Sequence, residues 1–298
     1  MKRIERKNAV YTMSPKNEPV LKVKSGETVV FETYDCFKNQ VLCDDQSNDS
    51  IDYDLTNPAT GPLFVEEAEA GDILKVSILD IAVNKTGVMG MEPKYGVLGD
   101  LINEPKFKVF KIENDKIQFN DRIEFSINPM IGVIGVAPKD GDIATMVPDV
   151  HGGNMDCKRI IKGSTLYLPV FNKGALLAIG DLHGLMADGE ISISGLEIDG
   201  QVTVKVEVIK DKKMPTPLLI EGEHIITIAS AETLDEAADQ ATLNMHQLLT
   251  NELKMDVYEA GMLLSLVGDL RICQVVDPLK TARMELPISI LEKYNYQF

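Results

Sequence analysis

A turn followed by a strand recurs along the first two thirds of the sequence, and this device restricts the chain to sheet-rich folds. Gly26-Glu27 leads into Thr28–Thr33, Gly71-Asp72 into 73–81, Gly163-Ser164 into 165–170, and Gly200-Gln201 into 202–208. Each pair is a turn signal, and each run that follows is alternating or β-branched, the signature of a sandwich or barrel. Val204, Val206 and Val208 face one way while Lys205 and Glu207 face the other, the period of two of a half-solvated strand. The connections 44–61 and 87–103 are polar or rich in Gly and Pro and too long for simple hairpins, as functional or interfacial loops are.

The pattern changes after Lys210. Residues 211–217 hold two prolines and three charges and read as a linker or irregular crossing, followed by a strand-like 224–229. Thr233 with Glu236 forms a capping box, and Leu234, Ala237, Ala238, Ala241, Met245, Leu248 and Leu249 fall on one helical face. Asp256 with Glu259 opens a second helix striped by Ala260, Leu263, Leu264 and Val267, and 270–276 reads as a buried strand. The expected fold is mainly β, with sandwich or barrel domains. A β-rich body, 1–210, with room for two β subdomains, carries the site, and a C-terminal α+β segment covers 211–298.

Of the 298 residues, 46 are acidic and 30 basic, a formal net charge of −16, which disfavours nucleic acid and anionic membrane as partners. The basic start is followed by polar sequence, not the apolar stretch of a signal peptide, and apolar runs such as 175–179 and 262–267 are far short of the roughly 20 residues of a membrane helix. Cys36, Cys43, Cys157 and Cys273 form neither a C-x-x-C pair nor a secreted disulfide framework. A Cys36 to Cys43 bridge is conceivable, but reduced thiols in a cytoplasm are the simpler account.

Two of the four histidines sit in polar, Gly-flanked settings: His151-Gly152-Gly153-Asn154-Met155-Asp156 and Gly180-Asp181-Leu182-His183-Gly184, with Asp188-Gly189-Glu190 just beyond. Imidazole and carboxylate together suit zinc or another first-row divalent ion, whereas carboxylate and carbonyl alone suit calcium or magnesium. Asp181 and His183, at i and i+2, share a face of an extended segment. Gly152 and Gly153 permit positive φ and could turn amide N–H groups to a substrate oxygen. The bland alternative makes His151 and His183 turn residues bonded to local carboxylates. His224 and His246, on a strand and a helix, read as structural.

These blocks also carry a resemblance. Met146 to Asp156, then Lys162-Gly163-Ser164-Thr165-Leu166-Tyr167-Leu168-Pro169-Val170, Gly180-Asp181-Leu182-His183 and Asp188-Gly189-Glu190, resemble the acetamidase/formamidase family. Asn57-Pro58-Ala59-Thr60-Gly61-Pro62-Leu63 and Asp269 to Val276 extend the similarity over nearly the whole chain. The resemblance implies hydrolysis of formamide, acetamide or a related short amide to ammonia and a carboxylate, by a β-rich homo-oligomer.

From the residues and the resemblance together, His151, Asp181 and His183 are expected to bind a divalent metal, most plausibly zinc, with Asp35 and Glu190 nearby as ligands or supporting groups and calcium as a candidate additional ion. An attacking water activated by that ion needs a proton acceptor, for which Glu190 is the candidate; if Glu190 is a ligand, Asp156 or Asp188 takes the role. Asn154 is expected to hold the amide, donating from its side-chain NH₂ to the developing oxyanion. Leu63, Phe64, Val97, Leu98, Leu101 and Ile102, in or beside the long loops, suggest a homodimer or higher homo-oligomer. Two other readings stand beside this one: a metal-stabilised β-protein that binds a small ligand without turnover, and a nucleophile-based amidase, for which no G-x-S-x-G elbow exists.

Overall fold

A computed structural model describes residues 1–44 and 46–296. Among these the strands form two large sheets, of nine and eleven strands, and a small two-stranded one. The nine-stranded sheet runs Lys2–Ile4, Thr28–Thr33, Gly200–Ile209, Ile73–Val83, Thr165–Pro169, Leu218–Glu221, His224–Ala231, Lys280–Pro287 and Asp269–Gln274. All of its pairings are antiparallel except the first. Residue 210, where the composition changes, falls within the span of this sheet: Thr165 pairs with Ile220, so hydrogen bonding continues from the body into the C-terminal segment.

The second sheet is built around Ala175–His183, all nine residues of which are buried. That strand pairs with Met130–Gly135, with Ala59–Val65 and with Glu197–Ile198. Its near-continuous apolar run is what burial on both faces demands. The two sheets share one apolar core, in which Phe31, Val76, Val202 and Val204 of the first meet Ile131, Ile134, Ile179 and Leu182 of the second.

The turn-and-strand reading holds at each of its four places, with ends within a few residues. Val202, Val204 and Val206 are fully buried, while Lys205 and Glu207 pair on the other face at 2.9 Å. Thr233 and Glu236 form the capping box that starts Leu234–Gln247, and Asp256 caps Val257–Val267 with bonds to the N–H groups of Tyr258 and Glu259. The first helix buries Ala241 and Met245, and the helical turn that follows buries Leu248 and Leu249, against Ile225, Met284 and Leu286 of the nine-stranded sheet.

Two expectations change. Asp269–Gln274 is not a buried strand: it is the sheet's edge, exposed from Asp269 through Ile272. Residues 191–193 form turns and a bend, so Glu190 sits in a loop. Leu63 is fully buried within Ala59–Val65, whereas Val97 and Leu101 are exposed as anticipated. All four cysteines are free, with Cys43 exposed and Cys36 partly so, so no bridge joins them.

Candidate active site

The Ala175–His183 strand ends by delivering Asp181 and His183 to the base of a cavity. Opposite Asp181, between the pairings Ile131 to Leu182 and Val133 to Gly180, lies Gly132. A Cβ at Gly132 would stand 2.5 Å from Asp156 Oδ1 and from Asp181 Oδ2, so the missing side chain is the space that two carboxylates occupy. Asp156 arrives from the segment after Gly152–Asn154, a short strand on the other edge of Met130–Gly135.

His183 Nε2 is the centre of the cluster. It lies 3.3 Å from Glu197 Oε2, 3.5 Å from Asp181 Oδ2, 3.8 Å from Asp156 Oδ1 and 3.9 Å from Glu190 Oε1. Asp156, His183 and Glu190 each offer a ligand atom within 4.8 Å of the other two, and so do Cys36, Asp181 and Glu197. A fifth carboxyl, Asp277, accepts a 2.9 Å hydrogen bond from Asn154 Nδ2. Asp156, Asp181, Glu190, Glu197 and Asp277 are all buried.

Such crowding is electrostatically costly. Burial, reinforced by Asp277 and Asp181, pushes the Asp156 carboxyl well above the usual carboxylate range. Burial and then Asp156 do the same to Glu190; burial and then Glu190 do so to Asp277. Glu197 is pushed up to about 8, chiefly by burial. Burial opposes charge on His183, but Glu197 and Asp181 together outweigh it and raise its pKa well above the ordinary imidazole value.

Both Asp156 oxygens, Asp181 Oδ1, Glu190 Oε2 and Glu197 Oε2 are buried without a hydrogen-bond partner. Unpaired buried carboxylate oxygens cost several kcal/mol each unless a proton or a cation compensates them. Carboxylates converging on one imidazole are a donor set that a divalent first-row ion fits, and calcium would find oxygen ligands here as well.

The sequence-derived candidates divide. The structure brings together Asp181, His183, Glu190, Asp156 and Asn154. His151 and Asp35 belong to neither group of potential ligands among the described residues. His151 is fully buried beside Gly153, with both ring nitrogens unpartnered, and burial lowers its pKa to about 4. Asp35 accepts from the Asn39 N–H at 2.6 Å, and burial raises its carboxyl to about 6. Gly152 donates its N–H to Asp149 O at 3.0 Å, so that group is engaged within its own turn. Asp188 is held by Arg283 and Lys158, and although burial works against its charge, Arg283 first and Lys158 next hold its carboxyl below the usual range.

Sequence reasoning missed Glu197, Asp277 and Cys36. Glu197 lies in Gly195-Leu196-Glu197, a stretch with no histidine or turn motif to mark it. Asp277 follows Val275-Val276 in the C-terminal segment, where Asp277-Pro278 was the available sign of a loop.

The cavity above the cluster has a volume of about 580 Å³. Asn154, Asp181, Glu190, Glu197 and Asp277 line it, together with Cys36, Phe37, Tyr53, Tyr95, Met146, Ile193, Val276 and Pro278. Burial and the neighbouring Asp181 and Glu197 carboxyls push the Cys36 thiol above the ordinary thiol range.

The sequence profile of the Acetamidase/Formamidase family matches residues 5–141 and 139–293. The chain is similar to an acetamidase from Bacillus halodurans, at 49% identity and a TM-score of 0.97 over 99% of this chain and 100% of that one. It is similar also to a predicted acetamidase/formamidase from the thermophile Thermoanaerobacter tengcongensis, at 44% identity and a TM-score of 0.97 over 100% and 99% of the two chains. A formamidase of Methylophilus methylotrophus is 27% identical across 91% of this chain and 86% of its own.

Proposed function

The chain belongs to the acetamidase/formamidase family, and from that premise we propose that it is a metal-dependent hydrolase of linear amides, releasing ammonia and a carboxylate. The carrying observation is the convergence of four buried carboxyls, of Asp156, Asp181, Glu190 and Glu197, on His183 Nε2, with Asp156 Oδ1 and Glu197 Oε2 lacking a hydrogen-bond partner, beneath a cavity that Asp181, Glu190 and Glu197 line.

Asp156, Asp181, His183 and Glu197 are the residues proposed to hold the ion, zinc by the mixture of imidazole and carboxylate, with calcium as a candidate additional ion. Bound there, a divalent ion supplies Lewis acidity, making water a nucleophile near neutral pH and polarising a carbonyl. Glu190 moves the proton. Its carboxyl lines the cavity and lies 3.9 Å from His183 Nε2, placed to take a proton during water attack and return it to the departing nitrogen. The C–N bond breaks as that nitrogen is protonated, and ammonia leaves.

Asn154 orients the substrate. Its Nδ2 is engaged by Asp277, and its Oδ1 is buried without a partner, an acceptor suited to an N–H of a primary carboxamide. This differs from a role in which Asn154 donates to the carbonyl oxygen.

The same reading extends to assembly and setting. Val257, Tyr258, Met262 and Leu266 on the last long helix and Leu270 and Ile272 on the adjacent edge strand are exposed, which supports a homo-oligomer that covers them. Free thiols support a reducing compartment such as the cytoplasm. No helix among the described residues is long and apolar enough to cross a membrane.

Glu190→Gln tests the mechanism. Loss of ammonia release from acetamide with metal content retained assigns the proton transfer to Glu190; loss of both makes it a ligand; unchanged turnover removes it from the site. Light scattering that finds a monomer at micromolar concentration contradicts the oligomer.

A further inference from the structure

Cavity size and the distribution of exposure bear on which amide the site takes. Every ionisable or amide side chain proposed to act on the substrate is at most 8% exposed, whereas Tyr53, Met146 and Tyr95 are 40%, 40% and 59% exposed. The acidic floor is therefore deep and the rim is aromatic and apolar. The 580 Å³ between them lies within the range of roughly 300–1,000 Å³ that encloses drug-sized ligands, and acetamide would leave most of it to water.

Two charged groups line the cavity outside the floor. Glu92 accepts a hydrogen bond from Tyr53 Oη, and Lys280 Nζ donates to the Asp277 carbonyl at 2.5 Å. Both keep their charge, since a phenol and a carbonyl neutralise neither, but the two are opposite in sign and give the upper wall no net charge. The wall is also braced: Gln274 Oε1 accepts from the N–H groups of Val276 and Asp277 at 2.8 and 3.0 Å, and Phe37 packs edge-on against Phe107 at 5.4 Å.

We infer that the preferred substrates are neutral primary amides whose acyl group is apolar and longer than acetyl, medium-chain alkyl or arylalkyl, with the carboxamide on the floor at Asn154 and Glu190 and the chain rising past Ile193 and Val276 to Tyr95. This inference rests on the proposed amide hydrolysis. Each added methylene exchanges water for apolar wall, a gain of about three- to fourfold in kcat/KM per group until the rim is reached.

The test is kcat/KM of the purified, metal-loaded protein for acetamide, butanamide, hexanamide and 3-phenylpropanamide, read as ammonia release. A rise from acetamide to hexanamide, with 3-phenylpropanamide at least as good as butanamide, is expected. A fall along the series while acetamide is turned over overturns the inference and leaves amide hydrolysis standing; no turnover of any member overturns both. Tyr95→Asp, which sets a charge on the rim, is expected to lower the hexanamide to acetamide ratio at least about fivefold, and an unchanged ratio overturns the path proposed for the chain.

Discussion

Arg283 grips Asp188 through two hydrogen bonds, 2.7 Å from Nη1 to Oδ1 and 2.9 Å from Nη2 to Oδ2, and so fixes the loop that carries Glu190 two residues later. The guanidinium is 2% exposed and also bonds Glu285 Oε1 through Nε at 2.7 Å. Lysine keeps the charge but cannot make the paired contact. Arg283→Lys is therefore expected to lower kcat for acetamide by on the order of 10²-fold with a smaller effect on KM, because a misplacement of about 1 Å in a reacting group has that consequence. Steady-state kinetics check this, and a KM effect with kcat intact would assign Arg283 to substrate binding instead.

Gly132 has no room for a methyl group. Gly132→Ala places a carbon 2.5 Å from one oxygen each of Asp156 and Asp181, and 2.9 Å from the Asp181 carbonyl, so both carboxylates must move. Loss of bound metal and a fall in activity of at least about 10²-fold are expected, with destabilisation of about 1–3 kcal/mol. Metal analysis and urea unfolding measure the two effects, and a variant with full metal content would show that the carboxylates are not held as described.

Much of this was legible in the sequence. The turn-then-strand device and the Thr233 and Asp256 caps are local signals, and local signals place elements well. Asp156, Asp181, His183 and Glu190 could be read because short Gly-flanked motifs mark them. Glu197 and Asp277 could not: they reach the site through pairing of Glu197 with His183 and Val88 and through the turn after the edge strand, and no local pattern encodes such long-range register. His151 was grouped with the ligands by residue type and motif; its ring packs beside Gly153, fully buried, and joins neither group of potential ligands among the described residues.

His151 contributes a pH dependence of its own. Its folded-state pKa of about 4, lowered by burial, lies below the ordinary 6.5, so the folded state favours neutral imidazole. The corresponding stability is fully present above pH 6.5 and is lost as pH falls towards 4, by about 3 kcal/mol at 1.36 kcal/mol per unit. Asp35, raised to about 6 by burial, acts in the opposite sense, since its protonation on acidification stabilises the fold. The difference between wild type and His151→Gln in unfolding free energy, followed by urea titration from pH 8 to 4, isolates the histidine. That difference is expected to shrink as pH falls below 6.5, and a difference independent of pH would contradict the assignment.

Cys36 borders the cluster, and the proposed mechanism gives it no nucleophilic role. Cys36→Ser is therefore expected to retain ammonia release within about tenfold of wild type. A loss of 10³-fold or more, roughly the signature of a missing nucleophile, would favour a covalent mechanism.

The proposed hydrolysis needs a divalent ion held by the carboxylate and histidine cluster. Its most direct measurement is the rate of ammonia release from acetamide by protein dialysed against a chelator, then supplemented with zinc. Dialysis is expected to lower the rate at least about tenfold and zinc to restore it; metal-free protein that releases ammonia at the undiminished rate would rule out metal dependence.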